Sequence, residues 1–226
     1  MKKIKYTALL GLVIICIGGH YIISNGFDEN NIDLILDQES IFQASEKEDV
    51  LLAYNSQNTR NARSLLNESE YDSYSEIGDP YKTYIISGDL EESMCEEKAI
   101  NLLVEDNYQW EAPLYDSNGN IVNSAIVWND NGTWSIGKIG LDIPENLVQF
   151  ISDSDSIHNF IKKSEIQNPI EIKRLKFVSK NIDAVYILDE SGEEYLIPLA
   201  FDSVLNRFNI ENLKLYNAKE LLKKLN

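Results

Sequence analysis

Few residues of this chain combine the type and spacing that catalysis requires. After residue 26 there is one thiol, Cys95, and one imidazole, His158. A catalytic thiolate is stabilised by basic neighbours or by a helix N-terminus. Four glutamates instead lie within four positions of Cys95 and favour the protonated thiol. The sequence therefore predicts a structural cysteine, a surface histidine and no catalytic residue.

The sequence gives as little support for a metal site as for a catalytic residue. Asp116–Asn120 begins like an acidic calcium loop, but Ile121 and Val127 stand where an EF-hand needs glycine and glutamate. A hairpin turn explains this stretch better. One cysteine and one histidine cannot supply a usual zinc ligand set. We expect no metal and no cofactor, and paired carboxylates stay open as a catalytic pair in so acidic a chain.

Aromatic residues form the first candidate binding surface. Strand alternation allows some of them to face solvent as a flat platform for a glycan or a peptide. The alternative is a core face, since Trp134 alternates with Ile136. The members of this candidate binding surface are Tyr108, Trp110, Tyr115, Trp128 and Trp134.

A basic stretch forms the second candidate surface. It is the main concentration of positive charge outside the N-terminal tail, and it could bind the acidic part of the chain or an acidic partner. The alternative is a solvated face without a partner. The members of this candidate docking patch are Lys162, Lys163, Lys173, Arg174, Lys176 and Lys180.

Net charge limits the classes of partner. Residues after position 26 carry −20, because all 37 acidic residues but only 17 of the 20 basic ones lie there. Polyanion binding requires clustered lysine and arginine, so we expect no nucleic acid partner. The charge is concentrated between residues 28 and 106, where 20 acids stand against 5 bases.

The N-terminal residues determine the predicted compartment. Three lysines precede an uncharged run of 18 residues, 6–23, close to the roughly 20 residues of a bilayer-spanning helix. The positive-inside rule places the short tail in the cytoplasm and the rest outside. We predict a single-pass signal anchor in the cell membrane, with the membrane as a partner through residues 6–23.

Two other fates of this segment stay open. Cleavage after Gly26 would give a secreted protein, although no A-x-A-like site is present. Lipoprotein processing at Cys16 would require a small preceding residue, and Ile15 is bulky.

Composition divides the chain into three predicted parts. Residues 1–26 form the cytoplasmic tail and signal-anchor helix, and 27–77 form an acidic arm or linker with an amphipathic helix over 49–66. Residues 78–226 form an extracytoplasmic α+β domain that starts at a Gly-Asp-Pro turn. This domain can also be divided into two similar halves, 78–151 and 152–226.

Local patterns within this domain predict antiparallel β-meanders packed with a few helices. Strand patterns cover 81–87, 108–115, 121–128, 133–139, 172–179, 184–189 and 194–201, and helical patterns cover 93–105, 144–151, 153–164 and 218–225. Pro113 and Pro198 lack the N–H that a ladder requires, so we expect both at sheet edges or bulges.

Two short matches relate the predicted meanders, because Trp110 and Tyr195 each stand three positions before a Pro-Leu pair. The order of a helix followed by a meander resembles cystatin-like and PepSY-like exported modules in topology. This resemblance implies no activity.

These observations favour an exported, membrane-anchored, non-enzymatic binding module of the bacterial cell envelope with a protein or peptide partner. One alternative is a peptidase-inhibitor or propeptide-like module. The other is a glycan-binding module or an envelope hydrolase that uses paired carboxylates.

Overall fold

The computed structural model describes residues 32, 35, 36, 76–86, 108–130, 133–140 and 143–225, and only the backbone of 127–130 and 133–139. The predicted signal anchor (6–23), the arm helix (49–66) and the helix over 93–105 with Cys95 lie outside these residues. No helix in these ranges is long and apolar enough to cross a bilayer.

The described residues form a mixed α+β fold around one sheet of nine strands. The strands run in the order β5-β4-β3-β2-β6-β7-β8-β9, and β1 pairs with β3. All pairs are antiparallel except β2 with β6, so two meanders meet at one parallel pair. The strands are β1 (Glu76–Ile77), β2 (Tyr81–Ile86), β3 (Tyr108–Tyr115), β4 (Ile121–Asp130), β5 (Thr133–Ile139), β6 (Pro169–Phe177), β7 (Ile182–Asp189), β8 (Glu194–Leu199) and β9 (Tyr216–Asn217).

Helices cover both faces of this sheet. The α1–α2 face, where Ile172 and Val185 point, packs against α1 and α2, and the opposite α4 face, where Leu175 and Ala184 point, packs against α3 and α4. Each face has its own apolar core. The helices are α1 (Glu145–Ser152), α2 (Ser154–Lys163), α3 (Asp202–Leu205) and α4 (Ala218–Leu225), with a 3₁₀ turn at Asn206–Phe208.

Asp153 separates α1 from α2 and caps the second helix. Its backbone is extended, and its carboxylate accepts the Asp155 N–H at 3.2 Å and the Ser156 hydroxyl at 2.5 Å. Such a cap satisfies an N–H that has no partner inside the helix. The second helix therefore begins directly after the first, and the two bury apolar stripes that include Ile151 and Ile157.

The predicted elements agree closely with the described ones, and the α+β class is confirmed. The predicted bounds of β3, β5 and α4 are those of the structure. Short β1 and β9, helix α3, the 3₁₀ turn and the parallel pairing of β2 with β6 were not predicted.

Part of the predicted acidic arm contributes to the domain core. Ile32 and Leu36 are helical and have no exposed surface, and they belong to the apolar cluster of the α1–α2 face. Glu76 and Ile77 form β1, before the predicted start of the domain at residue 78. The domain boundary at residue 78 stays a prediction. Ile32, Leu36, Glu76 and Ile77, which precede it, belong to the folded domain.

The two strand prolines occupy irregular positions of the sheet. Pro113 lies on an interior strand, where three residues of the β1–β2 connection oppose two of β3, and its carbonyl accepts the Gly78 N–H at 2.8 Å. The expectation of an edge or a bulge therefore holds for Pro113 through this irregular pairing. Pro198 pairs with β7 on one side only, and its carbonyl accepts the Leu213 N–H on the other.

Two hairpin loops, rather than the two Pro-Leu pairs, occupy matching positions in the meanders. Pro113 is on the second strand of its meander and Pro198 on the third. By contrast, Asp116 and Asp189 each close the loop between the second and third strands. Each carboxylate accepts the backbone N–H groups two and four positions later at 2.9 Å, and Gly119 and Gly192 adopt φ of 81° and 85°. A positive φ of this kind favours glycine.

Candidate functional site

A cavity lies between the β3–β4 hairpin and α1. Its volume is about 520 Å³, within the roughly 300–1,000 Å³ typical of small-ligand sites. One wall comes from the β1–β2 connection and the hairpin, and the other from α1 and the residue after it. The lining residues are Asp79, Pro113, Tyr115, Gly119, Asn120, Ile121, Glu145, Asn146, Gln149, Ser152 and Asp153.

Tight local packing fixes the hairpin wall of this cavity. A side-chain Cβ at Gly78 would stand 2.7 Å from Pro113 Cγ and 2.7 Å from Tyr115 Cε2. Only glycine allows the β1–β2 connection to approach the ring so closely. The loop that follows is held by Asp116, whose carboxylate oxygens accept the backbone N–H of Asn120 at 2.9 Å and its side-chain N–H at 3.2 Å. Tyr115 is therefore presented from a rigid support.

The electrostatic character of the cavity is acidic. Three carboxylates line it, those of Asp79, Glu145 and Asp153, and no lysine or arginine does. Burial, followed by the charges of Asp79, Glu76 and Asp153, raises the pKa of Tyr115. The phenol stays neutral at physiological pH, so it can donate one hydrogen bond while the carboxylates and amide oxygens accept others. This arrangement is suited to a ligand that carries a cationic donor.

A second polar group is buried where the two meanders meet. This seam cluster lies on the α1–α2 face, and all its members are less than a fifth exposed. Its members are Tyr81, Glu111, Arg174, Lys176 and Asp183. Charged residues are rarely buried unless they are paired, so each member requires a partner.

The seam cluster pairs its charges across the boundary between the meanders. Lys176 Nζ lies 3.1 Å from Glu111 Oε1 on the first meander and 3.4 Å from Asp183 Oδ1 on the second. Glu111 also accepts the Gln109 side-chain N–H at 2.6 Å. One ammonium therefore holds both carboxylates, an arrangement that joins β3, β6 and β7.

Arg174 ties this cluster to the helices above it. Its Nε donates to the Ile151 carbonyl at 2.6 Å, near the end of α1, and its guanidinium lies 4.9 Å from the centre of the Tyr81 ring. Burial, together with the nearby charges of Glu111 and Asp183, raises the pKa of Tyr81 well above its usual value. The seam cluster therefore has the partners and the burial of a structural ion-pair network.

The structure divides the predicted aromatic binding surface between two faces of the sheet. Tyr115 lines the cavity on the α1–α2 face. Tyr108 and Trp110 lie together on the α4 face, with ring centres 5.9 Å apart, where Tyr108 is 43% exposed and Trp110 only 9%. Trp128 pairs with Ser135 and Trp134 with Asn129 in the backbone register, and their side chains lie outside the described part.

The Tyr108–Trp110 pair does not present a bare aromatic platform. Lys82 Nζ lies 5.1 Å from the Tyr108 ring centre and 5.7 Å from that of Trp110. Tyr84 adds an edge-to-face contact with Tyr108 at 5.8 Å. Cation–π contacts of this kind stabilise the strands that carry them, and the mostly buried Trp110 agrees with the core alternative.

The predicted basic docking patch is not one surface. Lys162 and Lys163 are exposed at the end of α2, Lys173 lies on the α4 face beside Tyr84 and Glu171, and Lys180 is half-buried in the β6–β7 turn. Arg174 and Lys176 are in the seam cluster. Neighbouring side chains of a strand point to opposite faces of the sheet, so closeness in sequence did not bring these charges together. A docking role for the exposed lysines Lys162 and Lys163 stays a prediction.

Sequence reasoning missed most residues of the cavity and of the seam cluster. Among the cavity residues only Tyr115 was a candidate. The cavity joins three segments that are far apart in sequence, and no spacing pattern links them. Glu111 and Asp183 did carry a signal, because Glu111 is the one acid of β3 and Asp183 lies within a mostly apolar run of β7. Such a residue requires a buried partner.

Comparisons with known proteins add no assignment to this geometry. No protein-family model, no curated protein and no solved structure matches the chain significantly. Within the described residues no three histidine, cysteine or acidic side chains are placed to hold a metal ion.

Proposed function

We propose that this chain is a membrane-anchored, extracytoplasmic binding module of the bacterial cell envelope. In this proposal residues 6–23 are the anchor, and the cavity between the β3–β4 hairpin and α1 binds a ligand with a cationic group, such as a basic side chain of a peptide or protein partner. The module acts by binding and not by catalysis.

The cavity is the observation that carries this proposal. It combines a ligand-sized volume, three carboxylates and no basic lining residue. Tyr115 adds an aromatic ring, and rings bind ammonium and guanidinium groups through cation–π contacts of about 0.5–2 kcal/mol. The overall −20 charge of the exterior part increases the rate at which a basic partner approaches.

The seam cluster does not supply the paired carboxylates that a hydrolase would require. Glu111 and Asp183 share one lysine and are almost fully buried, with side chains 6% and 4% exposed. A glycosidase pair instead flanks an open space where the sugar is bound. These two carboxylates therefore have the burial and the pairing of structural residues rather than of catalytic ones.

Titration calorimetry with small charged peptides tests the proposal. The full-length chain in lipid nanodiscs is titrated with acetyl-dilysine-amide and with acetyl-diglutamate-amide. Only the basic peptide is expected to bind, with one site per chain. Glu145→Gln should weaken it roughly tenfold, since one hydrogen bond to a charged group contributes about 1.5–3 kcal/mol.

Glu220→Gln provides the matched control for this experiment. Glu220 is an exposed acid on α4, on the opposite face of the sheet. Its neutralisation changes net charge by the same amount and should leave the affinity unchanged. Equal losses at both positions would mean that the peptide recognises net charge only, and the cavity proposal would be rejected.

A further inference from the structure

We propose that the α4 face of the sheet carries a second binding site, for a sugar unit that bears one carboxylate. Lys82 supplies the positive charge of this site, and Tyr108 supplies the ring on which the sugar stacks. The site has the opposite charge to the cavity beside Tyr115 and lies on the other face of the sheet, so it does not depend on the proposed cationic ligand.

Strand pairing between β2 and β3 brings the members of this site together. Lys82 stands opposite Trp110, and Tyr84 stands opposite Tyr108, in antiparallel register. Residues directly opposite each other have their side chains on the same face of a sheet, and so do residues two apart on one strand. The ammonium group and the three rings therefore share one face.

The three rings hold one another in position. The Tyr108 ring centre lies 5.8 Å from that of Tyr84 and 5.9 Å from that of Trp110, edge to face in both cases. Tyr84 and Trp110 are buried, at 7% and 9% exposure, whereas Tyr108 is 43% exposed. Two buried rings therefore fix one exposed ring. An exposed aromatic ring of this kind has room for one sugar ring, whose C–H face is apolar.

Lys82 has no anionic partner among the described residues. Its half-buried side chain places Nζ 5.1 Å from the Tyr108 ring centre and 5.7 Å from that of Trp110, and these are the contacts that the structure gives it. By contrast, Lys173 and Lys176 of the neighbouring strand β6 both form ion pairs with carboxylates. Acids outnumber bases in this chain by 37 to 20, so an ammonium group without a carboxylate is unexpected. Its charge is available to a ligand.

The charges of the protein restrict this ligand to one with few negative groups. One ammonium pairs with one carboxylate, and the −20 charge of the exterior part repels a polyanion. In a sugar acid the carboxylate and the apolar C–H face belong to the same unit. Lys82 Nζ and the Tyr108 ring centre are 5.1 Å apart, so one such unit can contact both. An acidic peptide side chain would pair with Lys82 but leave the exposed ring unused. The chemistry therefore favours a uronate unit.

Three small probes test the two halves of this recognition. The ¹⁵N-labelled full-length chain in phosphatidylcholine nanodiscs is titrated at physiological salt with sodium galacturonate, with galactose and with acetyl-glutamate-amide. Galacturonate carries the ring and the carboxylate, galactose only the ring, and the third probe only the carboxylate. We expect galacturonate to bind most tightly, about tenfold above galactose, because galactose lacks one charge-assisted hydrogen bond. The largest amide shifts should fall at Lys82 and Gln109, on the two strands of the site.

Substitutions separate this site from a response to net charge. Lys82→Met removes the ammonium and should weaken galacturonate binding about tenfold, whereas Lys82→Arg keeps the charge and should retain most of the affinity. Lys163→Met removes the same charge at an exposed position on the other face and should leave the affinity unchanged. Tyr108→Ala should weaken the binding of galacturonate more than that of acetyl-glutamate-amide.

Circular dichroism reports whether Lys82→Met is folded. If it is not, Lys82→Arg and the three probes on the unaltered chain still decide the question.

Four results would overturn the inference. They are no binding of galacturonate, equal affinity for galactose, equal affinity for acetyl-glutamate-amide, which would assign the site to an acidic peptide, and equal losses in Lys82→Met and Lys163→Met. Glu145→Gln, which tests the cavity, should not change galacturonate binding, because the cavity lies on the other face. The two proposals therefore succeed or fail separately.

Discussion

Removal of the shared ammonium in the seam cluster is expected to destabilise the domain strongly. Lys176→Met keeps the length and apolar part of the side chain but leaves Glu111 and Asp183, 6% and 4% exposed, without that positive charge. Breaking a buried ion pair by removal of one partner costs about 3–5 kcal/mol. For a domain of this size, that free energy corresponds to a fall in melting temperature of about 6–20 °C.

Lys173→Met is the matched control on the same strand. Lys173 is as buried as Lys176, with side chains 12% and 13% exposed, and it also forms an ion pair. Its partner Glu171 is 27% exposed and stays hydrated when the lysine is removed. The expected cost is therefore within about 1 kcal/mol.

Urea unfolding followed by tryptophan fluorescence gives both free energies. The prediction requires that the free energy of unfolding falls by at least about 2 kcal/mol more in Lys176→Met than in Lys173→Met. Equal losses would show that the two buried carboxylates do not depend on Lys176, and the assignment of the seam cluster as a structural network would be wrong.

Three further predictions concern the cavity wall, the seam and the two hairpin loops. Gly78→Ala should cost about 1–3 kcal/mol in urea unfolding and change the near-ultraviolet signal of Tyr115, because the new Cβ would overlap that ring. The raised pKa of Tyr81, caused first by burial, means that its contribution to stability is complete below about pH 10, the value of an unfolded tyrosine, and is lost as pH rises further. Tyr81→Phe should therefore reduce the alkaline slope of the unfolding free energy, and an unchanged slope would exclude Tyr81 as its source. Asp189→Ala should cost about 1–3 kcal/mol through three lost hydrogen bonds, and Asp116→Ala, in the more exposed loop, should cost less; the reverse order would contradict the burial argument.

Local sequence patterns were sufficient for most described elements. β3 begins and ends where an alternating apolar run begins and ends, and the Asp116 turn sequence predicts the hairpin that follows. The parallel pairing of β2 with β6 has no such signal, because its partners are 91 residues apart: Tyr84 pairs with Leu175. The meanders were predicted, but the way they join was not.

The candidate sites show the same limit, since local patterns do not predict contacts between residues that are distant in sequence. Lys173 and Arg174 are neighbours in sequence and were assigned to one patch, but strand alternation places them on opposite faces of the sheet. Asp79, Tyr115 and Gln149 are distant in sequence and meet in one cavity. Side chains that meet through tertiary packing leave no spacing pattern in a single sequence.

Amide chemical-shift mapping distinguishes a specific site for a cationic ligand beside Tyr115, as proposed, from a response to net charge alone. The ¹⁵N-labelled full-length chain in nanodiscs is titrated with acetyl-dilysine-amide at physiological salt. If the cavity is the site, the largest shifts fall at Asn120, Gln149 and Ser152 and saturate with one ligand. Small shifts spread over exposed acids of both faces, without saturation, would show that the peptide responds only to the −20 charge and would contradict the proposed site.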